Sequence, residues 1–159
     1  MWHFLTHAHY DHIIDFDKIR EKTAAPSYIV SSDLPLLYDP NKNVSTWLFS
    51  PTTYPTCDHL LSPGDTVSVT DFSIKVFHTP GHTPGSACYL IDDALFTGDT
   101  VMSSGIGRCD LYLYGGDFNQ MCSSLQFLLT QPPTLRVYPG HGNNTTLSAI
   151  HSLIRHYIK

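Results

Sequence analysis

The segment Thr6–His12 reads THAHYDH and carries more information about this chain than any other stretch. It places three histidines and one aspartate within six residues, a density of donors that rarely has a structural reason. The preceding residues, WHFLT, predict a short buried strand that runs directly into it. Because an extended backbone sends side chains to alternate faces, we expect His7, His9 and Asp11 to point one way, with His12 following at the turn. This arrangement is typical of a metal site.

Three further donors share one local pattern, in which a predicted strand is followed by a glycine and then by a potential ligand. His82 lies in TPGHTPGS, Asp99 in FTGDT and His141 in YPGHG. Glycine allows the sharp turn that this pattern needs. Each residue alone is more often an ordinary loop residue, but together with THAHYDH they offer seven nitrogen and oxygen donors. That exceeds the needs of one tetrahedral zinc, so the sequence predicts two metal ions that share one carboxylate.

The order of predicted elements indicates a layered α/β fold with mixed sheets, in one domain that spans residues 1–159. Alternation in TVSVTDFSIKVF predicts a hairpin, and ACYLID with ALFTGD predicts a second strand pair. SYIVSS and RVYPGH also read as strands. Helices are predicted over Asp15–Lys22, Leu34–Tyr38, Phe118–Thr130 and Thr145–Tyr157. Thr145 and Thr146 would cap the last helix.

Composition and charge argue against several classes of partner. The formal net charge of −5 gives no basic footprint for a nucleic acid. No apolar run approaches the ~20 residues that span a bilayer, and the first residues lack an export signal, so we expect no membrane association. The four cysteines are scattered without a CxxC pair, which suits a reducing cytoplasm. The expected partner is therefore a small molecule.

The motifs together resemble those of the metallo-β-lactamase superfamily: HxHxDH at His7–His12, GHTPGS at His82, GD at Asp99 and PGHG at His141. Within it, GHTPGS, TGDT, SGIGRCDL and VYPGHGNNTT resemble the short bacterial form of the glyoxalase II-like hydroxyacylglutathione hydrolases. The resemblance implies a four-layer αββα sandwich with metals at one edge of the sheets. It also implies a first metal on His7, His9 and His82, a second on Asp11, His12 and His141, and Asp99 as the bridge.

The activity that this resemblance implies is hydrolysis of a thioester such as S-D-lactoylglutathione, with a metal-bridging hydroxide as nucleophile. Asp11 would help to orient the water. Arg108 and Tyr114 lie on the loop after Asp99, where they could contact a substrate carboxylate. Two zinc ions are the expected cofactors, although nitrogen and oxygen donors also accept iron or manganese.

Several alternatives share this scaffold. An iron-dependent persulfide dioxygenase is one, because GRCDL also resembles that group. A lactonase or another ester hydrolase, a β-lactamase and an RNA-processing nuclease are others, although a nuclease would be expected to have a basic surface. A non-catalytic scaffold is the last.

One departure from the family concerns the start of the chain. Members normally have a strand pair before the HxHxDH strand, whereas this chain begins six residues ahead of His7. We therefore expect the sandwich to lack the N-terminal strands. The region around Trp2 to Leu5 would then lie beside uncovered sheet, which favours a homo-oligomer.

Overall fold

The computed structural model describes residues 1–110 and 115–159. Within these ranges the strands form two sheets. The smaller sheet is parallel and has the order β1 (His3–Phe4), β2 (Ser27–Val30) and β3 (His59–Leu61). The larger sheet is mixed and has the order β4 (Thr66–Val69), β5 (Phe72–His78), β6 (Ala87–Ile91), β7 (Ala94–Gly98), β8 (Arg136–Pro139) and β9 (Thr145–Thr146). Both predicted strand pairs, β4 with β5 and β6 with β7, are confirmed.

Three of the four predicted helices are shorter than the sequence pattern predicts, and the helix predicted over Asp15–Lys22 keeps its length but is shifted by one residue. In chain order they are α1 (Tyr10–Ile13), α2 (Phe16–Thr23), α3 (Leu34–Leu37), α4 (Phe118–Leu128) and α5 (His151–Tyr157), with 3-10 turns at Ser31–Asp33 and Ser148–Ile150. Asp117 caps α4, since its side chain accepts a hydrogen bond from the backbone N–H of Gln120. Among the described residues, no helix is both long and apolar enough to cross a membrane.

Three apolar clusters define four layers, which confirms the predicted αββα sandwich. The cluster around Val30, Ile74 and Val76 lies between the two sheets. A second cluster, which includes Phe16, Ile29 and Leu37, packs α2 and α3 on the outer face of the small sheet. A third packs α4 and α5 on the outer face of the large sheet through residues such as Cys88, Leu95, Val137, Met121, Leu125 and Ile154. Alternate residues of the large sheet therefore serve two different interfaces.

The predicted start of the last helix is wrong. Thr145 and Thr146 form β9, which pairs antiparallel with β8, and neither threonine caps a helix. The helix begins only at His151, after Leu147 has turned into the core with 0% exposure. The open edge of β8 provides hydrogen-bond partners for two β-branched residues, and this pairing overrides the helical periodicity.

A second correction concerns the THAHYDH segment. The chain is extended only as far as His9 (φ −75°, ψ 147°), and α1 begins at Tyr10. Asp11 therefore does not share a strand face with His7 and His9. Because α1 is helical, Asp11 and His12 instead lie beside His141.

The topology brings distant motifs to one edge of the sandwich. β7 runs parallel to β8, and both β5 and β7 run antiparallel to β6, so the carboxyl ends of β5, β7 and β8 lie on the same side. The smaller sheet is attached at this point, because Thr6 accepts a hydrogen bond from the backbone N–H of Ala87 and Leu5 accepts one from the Tyr89 hydroxyl. Side chains that follow these strands therefore meet.

Candidate metal centre

The first group of donors is a buried cluster of three histidines, His7, His9 and His82, which are 1%, 6% and 7% exposed. His9 Nδ1 lies 2.8 Å from His82 Nε2. The His7 ring centroid lies 5.0 Å from that of His9 and 4.7 Å from that of His82. His82 is oriented by a hydrogen bond between its Nδ1 and the backbone oxygen of Arg108, at 2.8 Å. We call this set the buried cluster.

The second group, Asp11, His12 and His141, lies at the surface and is called the open cluster below. Asp11 Oδ2 is 3.0 Å from His141 Nε2 and 3.7 Å from His12 Nε2. The two histidine Nε2 atoms are 3.2 Å apart. The side chains of Asp11 and His141 are 45% and 52% exposed, so this cluster faces solvent.

Asp99 joins the two clusters. Its Oδ2 lies 3.6 Å from His82 Nε2 in the buried cluster and 3.5 Å from His141 Nε2 in the open cluster. Its Oδ1 lies 3.3 Å from His12 Nε2. All seven residues that the sequence singles out as donors are therefore brought together, with Asp99 in the bridging position.

The contacts among the donors leave buried polar atoms without partners, and bound divalent cations would supply those partners. His7 Nε2, His9 Nε2 and Asp99 Oδ1 are buried and have no hydrogen-bond partner among the described residues. An unpaired buried polar atom costs about 1–3 kcal/mol, so three at one point need an explanation. Two ligands at about 2.0 Å from a tetrahedral zinc are about 3.3 Å apart, which is close to the observed separations. Divalent cations held between these atoms would satisfy all three.

Electrostatics prepare the buried cluster for a cation. Burial, followed by the positive charge that neighbouring histidines would carry, lowers the pKa of His7 well below its usual value. The same two effects lower the pKa of His9 to about 3. Burial also lowers the pKa of His82. These imidazoles are neutral at physiological pH, so they present lone pairs without first losing protons.

The open cluster has the opposite character. Burial works against the charged form of His12, but the Asp99 carboxylate, 3.3 Å away, and the charge of Asp11 outweigh this and raise its pKa. Burial also disfavours the charged form of Asp99, yet the proximity and charge of His12 outweigh it and lower the Asp99 pKa. A proton therefore competes with a cation more strongly here than in the buried cluster.

Two glycines allow this close convergence. Gly98 precedes Asp99 and has φ +48°, a conformation that suits glycine far better than other residues. Gly140 precedes His141, and a Cβ built on it would overlap Asp99 Oδ1 and His12 Cε1. At Gly140 the requirement is therefore space beside the donors, whereas the sequence pattern suggested a sharp turn.

Asp33 is a functional candidate that the sequence pattern did not reveal. It is 0% exposed, and its carboxylate accepts hydrogen bonds from Ala8 N at 2.9 Å, Thr83 Oγ1 at 2.8 Å and Gly85 N at 2.6 Å. Burial raises its pKa to about 6, although these donors favour the charged form. Asp33 thus connects the loop of His7 and His9 to the loop of His82. Its position directly after the strand SYIVSS, as for the other donors, is the signal that was available.

The two residues that the sequence suggested for substrate contact have different outcomes. Arg108 lies at the rim of the site, where its guanidinium forms two hydrogen bonds to Asp110, at 3.0 and 3.1 Å. Tyr114 lies outside the described residues. Their roles stay predictions.

Comparison with known proteins gives the class. The model of the metallo-β-lactamase superfamily matches residues 4–141. The probable metallo-hydrolase YqgX of Bacillus subtilis is 37% identical, covering 89% of this chain and 68% of that protein. The probable polyketide biosynthesis zinc-dependent hydrolase BaeB of Bacillus velezensis is 34% identical, covering 86% of this chain and 54% of that protein. This chain thus spans about half to two thirds of these relatives.

Solved structures agree with this. The BLEG-1 B3 metallo-β-lactamase has a TM-score of 0.86 at 37% identity, over 94% of this chain and 73% of that one. The protein TTHA1623, solved in a di-iron-bound form, has a TM-score of 0.80 at 34% identity, over 92% of this chain and 72% of that one. The chain belongs to the metallo-β-lactamase superfamily, and its class is that of the metal-dependent hydrolases.

Proposed function

We propose that this protein hydrolyses a thioester, such as S-D-lactoylglutathione, at a centre of two divalent metal ions. The observation that carries the proposal is the set of three buried, unpaired polar atoms on His7, His9 and Asp99, within a group of seven converging donors. The buried cluster would hold one ion and the open cluster the other, with Asp99 shared between them. When bound, the ions supply an activated water near neutral pH and positive charge for a developing oxyanion.

The protein's own residues would arrange the reaction. Asp11 is half exposed and lines the cavity beside the metal centre, so its carboxylate can orient the attacking water. In the overall reaction the water oxygen bonds to the carbonyl carbon, the carbon–sulfur bond breaks, and a carboxylate, a thiol and one proton are released. The buried histidines remain neutral and hold their positions throughout.

A thioester suits this centre because its leaving thiolate is stable and needs little help from a general acid. Cys109 lies beside Arg108 at the rim of the site, and burial raises its thiol pKa, so it is a poor nucleophile. Zinc is the metal we expect. Iron is the next choice, since the structural relative TTHA1623 was solved with two irons.

The test combines metal analysis with turnover. Elemental analysis of the purified protein should give two ions per chain, and the loaded protein should hydrolyse S-D-lactoylglutathione in a manner abolished by a chelator. His156→Ala, an exposed change on α5, serves as the control and should alter neither result. One iron per chain with oxygen uptake on glutathione persulfide would replace the proposal with a dioxygenase. Turnover of lactones without thioesters would replace it with a lactonase.

A further inference from the structure

A cavity of about 710 Å³ opens directly beside the metal donors. This volume falls within the range of pockets that hold small molecules. His9, Asp11, His82 and Asp99 form its base. Its walls carry a different chemistry, since two loops contribute the apolar side chains of Val44, Trp47, Leu48, Met102 and Ile106. We call these five residues the apolar wall.

The first loop holds its apolar side chains toward solvent at a conformational cost. Trp47 is 66% exposed and Leu48 is 54% exposed. Val44 has φ +62°, which is a costly conformation for a β-branched residue. The neighbouring Asn43, which is 0% exposed, helps to maintain this conformation through hydrogen bonds from its side chain to Thr52 O and from Ser45 N. A strained, well-braced loop that exposes large apolar groups beside a reaction centre is typical of a binding surface.

The second loop is fixed to the metal centre itself. Gly107 N donates a hydrogen bond to the backbone oxygen of Asp99 at 2.7 Å, and Met102 N donates one to Gly105 O at 2.8 Å. Ile106 packs against the apolar cluster beneath α4 and α5. Met102 and Ile106 are therefore held at a defined distance from the donors.

The side chains of the cavity wall do not favour an anionic substrate. Arg108 is the one cationic side chain that lines the cavity within the described residues, and its guanidinium already forms an ion pair with Asp110. Bound cations at the base would attract the reacting carbonyl group. A ligand with further carboxylates would have to break the Arg108–Asp110 pair to gain a cationic side chain on the wall.

We infer that the substrate of this centre is a thioester with an apolar acyl group, an alkyl chain of about four to eight carbons or an aromatic ring, which lies against the apolar wall. The inference rests on the proposed function and names its substrate class. The acyl side is assigned to the wall because the thiols that carry acyl groups in cells are polar, which leaves the acyl group as the apolar part.

The test uses thioesters of one thiol, N-acetylcysteamine, with acetyl, butyryl, hexanoyl and phenylacetyl groups, alongside S-D-lactoylglutathione. With metal-loaded protein, kcat/KM should rise from acetyl to hexanoyl, by up to roughly fourfold for each buried methylene. S-D-Lactoylglutathione should be a weaker substrate than the hexanoyl thioester.

A binding measurement provides a readout that does not need turnover. The chain has two tryptophans, so Trp2→Phe leaves Trp47 as the single tryptophan, whose emission can be excited selectively over that of the tyrosines. Titration of metal-free Trp2→Phe protein with the hexanoyl thioester should shift the Trp47 emission, and the acetyl thioester should shift it much less.

Two variants in the first loop test whether the apolar wall itself sets the preference for the acyl group. Leu48→Gln should lower the ratio of hexanoyl to acetyl kcat/KM by about tenfold, since it replaces a wall residue by a polar one. Phe49→Ala is the matched control. Phe49 is the next residue, is 96% exposed and does not line the cavity, so its change should leave that ratio unaltered.

The outcomes separate the two proposals. Hydrolysis that is equal for all acyl groups, or fastest for lactoylglutathione, would overturn the substrate inference and leave the hydrolase proposal standing. Binding of the hexanoyl thioester without hydrolysis by loaded protein would overturn the hydrolase proposal and support the apolar wall. If the loaded protein hydrolyses none of the thioesters and the hexanoyl thioester does not shift the Trp47 emission, both proposals are overturned.

Discussion

The buried cluster and the open cluster use the same kinds of side chain under different physical conditions. His7, His9 and His82 are shielded from water, and this burial outweighs the nearby Asp99 carboxylate, so their pKa values fall. His12 lies against Asp99 and near Asp11, and its pKa rises. The comparison teaches that burial keeps a histidine neutral and therefore ready to bind a cation. A neighbouring carboxylate instead stabilises the protonated histidine, so a cation must displace that proton. The two halves of one centre should therefore differ in metal affinity.

The largest expected effect is on metal content. His82→Ala should abolish binding at the buried cluster, a loss greater than the roughly 10- to 100-fold loss in affinity caused by removing an outer-shell partner. His141→Ala should remove one ion and leave the ion of the buried cluster in place. Elemental analysis and chelator competition measure both. Equal loss of both ions in the two variants would show that the clusters are not separate.

Asp33 tests whether the buried cluster needs a support that the open cluster lacks. Asp33→Asn replaces a carboxylate that accepts three hydrogen bonds, and we expect the free energy of unfolding to fall by about 2–4 kcal/mol. Metal affinity should drop at the buried cluster, because Asp33 connects its two loops, and persist at the open cluster. Asp71→Asn, in an exposed turn, is the control and should change neither quantity. Unchanged metal affinity in Asp33→Asn would limit Asp33 to a stabilising role.

The pH dependence of the metal-free protein should have opposite signs for the two clusters. The pKa of His9 is about 3 when folded and near 6.5 when unfolded, so the unfolded state binds an extra proton between these values. The free energy of unfolding should therefore fall by about 1.4 kcal/mol per pH unit as the pH drops through this window. His12, whose folded pKa is raised, contributes stability at low pH that is lost as the pH rises through that pKa.

Denaturant titrations of chelated protein from about pH 4 to 8 provide the measurement. His9→Gln should flatten the loss of stability on acidification below the unfolded pKa of histidine, and His12→Gln should remove the loss of stability as the pH rises above it. His156→Gln is the control, because that side chain is exposed on α5. The same slope in all three proteins would contradict the pKa shifts.

The smallest effect concerns the packing beneath α1, which carries Asp11 and His12. Ile13 is 1% exposed and packs in the cluster of α2 and α3, so Ile13→Val should cost about 0.5–1.5 kcal/mol in the free energy of unfolding. Ile14→Val, at a position that is 50% exposed, should stay within about 0.5 kcal/mol. Thermal unfolding compares them. Loss of the open-cluster metal in Ile13→Val would show that this packing also sets the donor geometry.

Sequence patterns predicted a layered α/β fold, its strand pairs and the identity of the converging donors, because these leave local signals in the sequence, whereas the αββα sandwich was implied by the resemblance to the superfamily. Alternation marks a half-buried strand, and an unusual density of histidines marks ligands. The last helix was placed too early, since the edge of β8 recruits Thr145 and Thr146 into β9, and no local pattern reports a free sheet edge.

Other features depended on the folded molecule. Nothing in the chain near Asp33 indicates that it accepts hydrogen bonds from Ala8 and Gly85, because the three residues are far apart in the sequence. Likewise the apolar wall exists only where residues 44–48 and 102–106 meet.

The sequence by itself determined which atoms can bind metal, since donor chemistry belongs to the residue type. Only the tertiary structure decided which donors are neutral, how far apart they lie and what lines the space beside them. Burial, charge and proximity depend on neighbours that are far apart in the chain, and His9 and His82 are 73 residues apart yet 2.8 Å from one another.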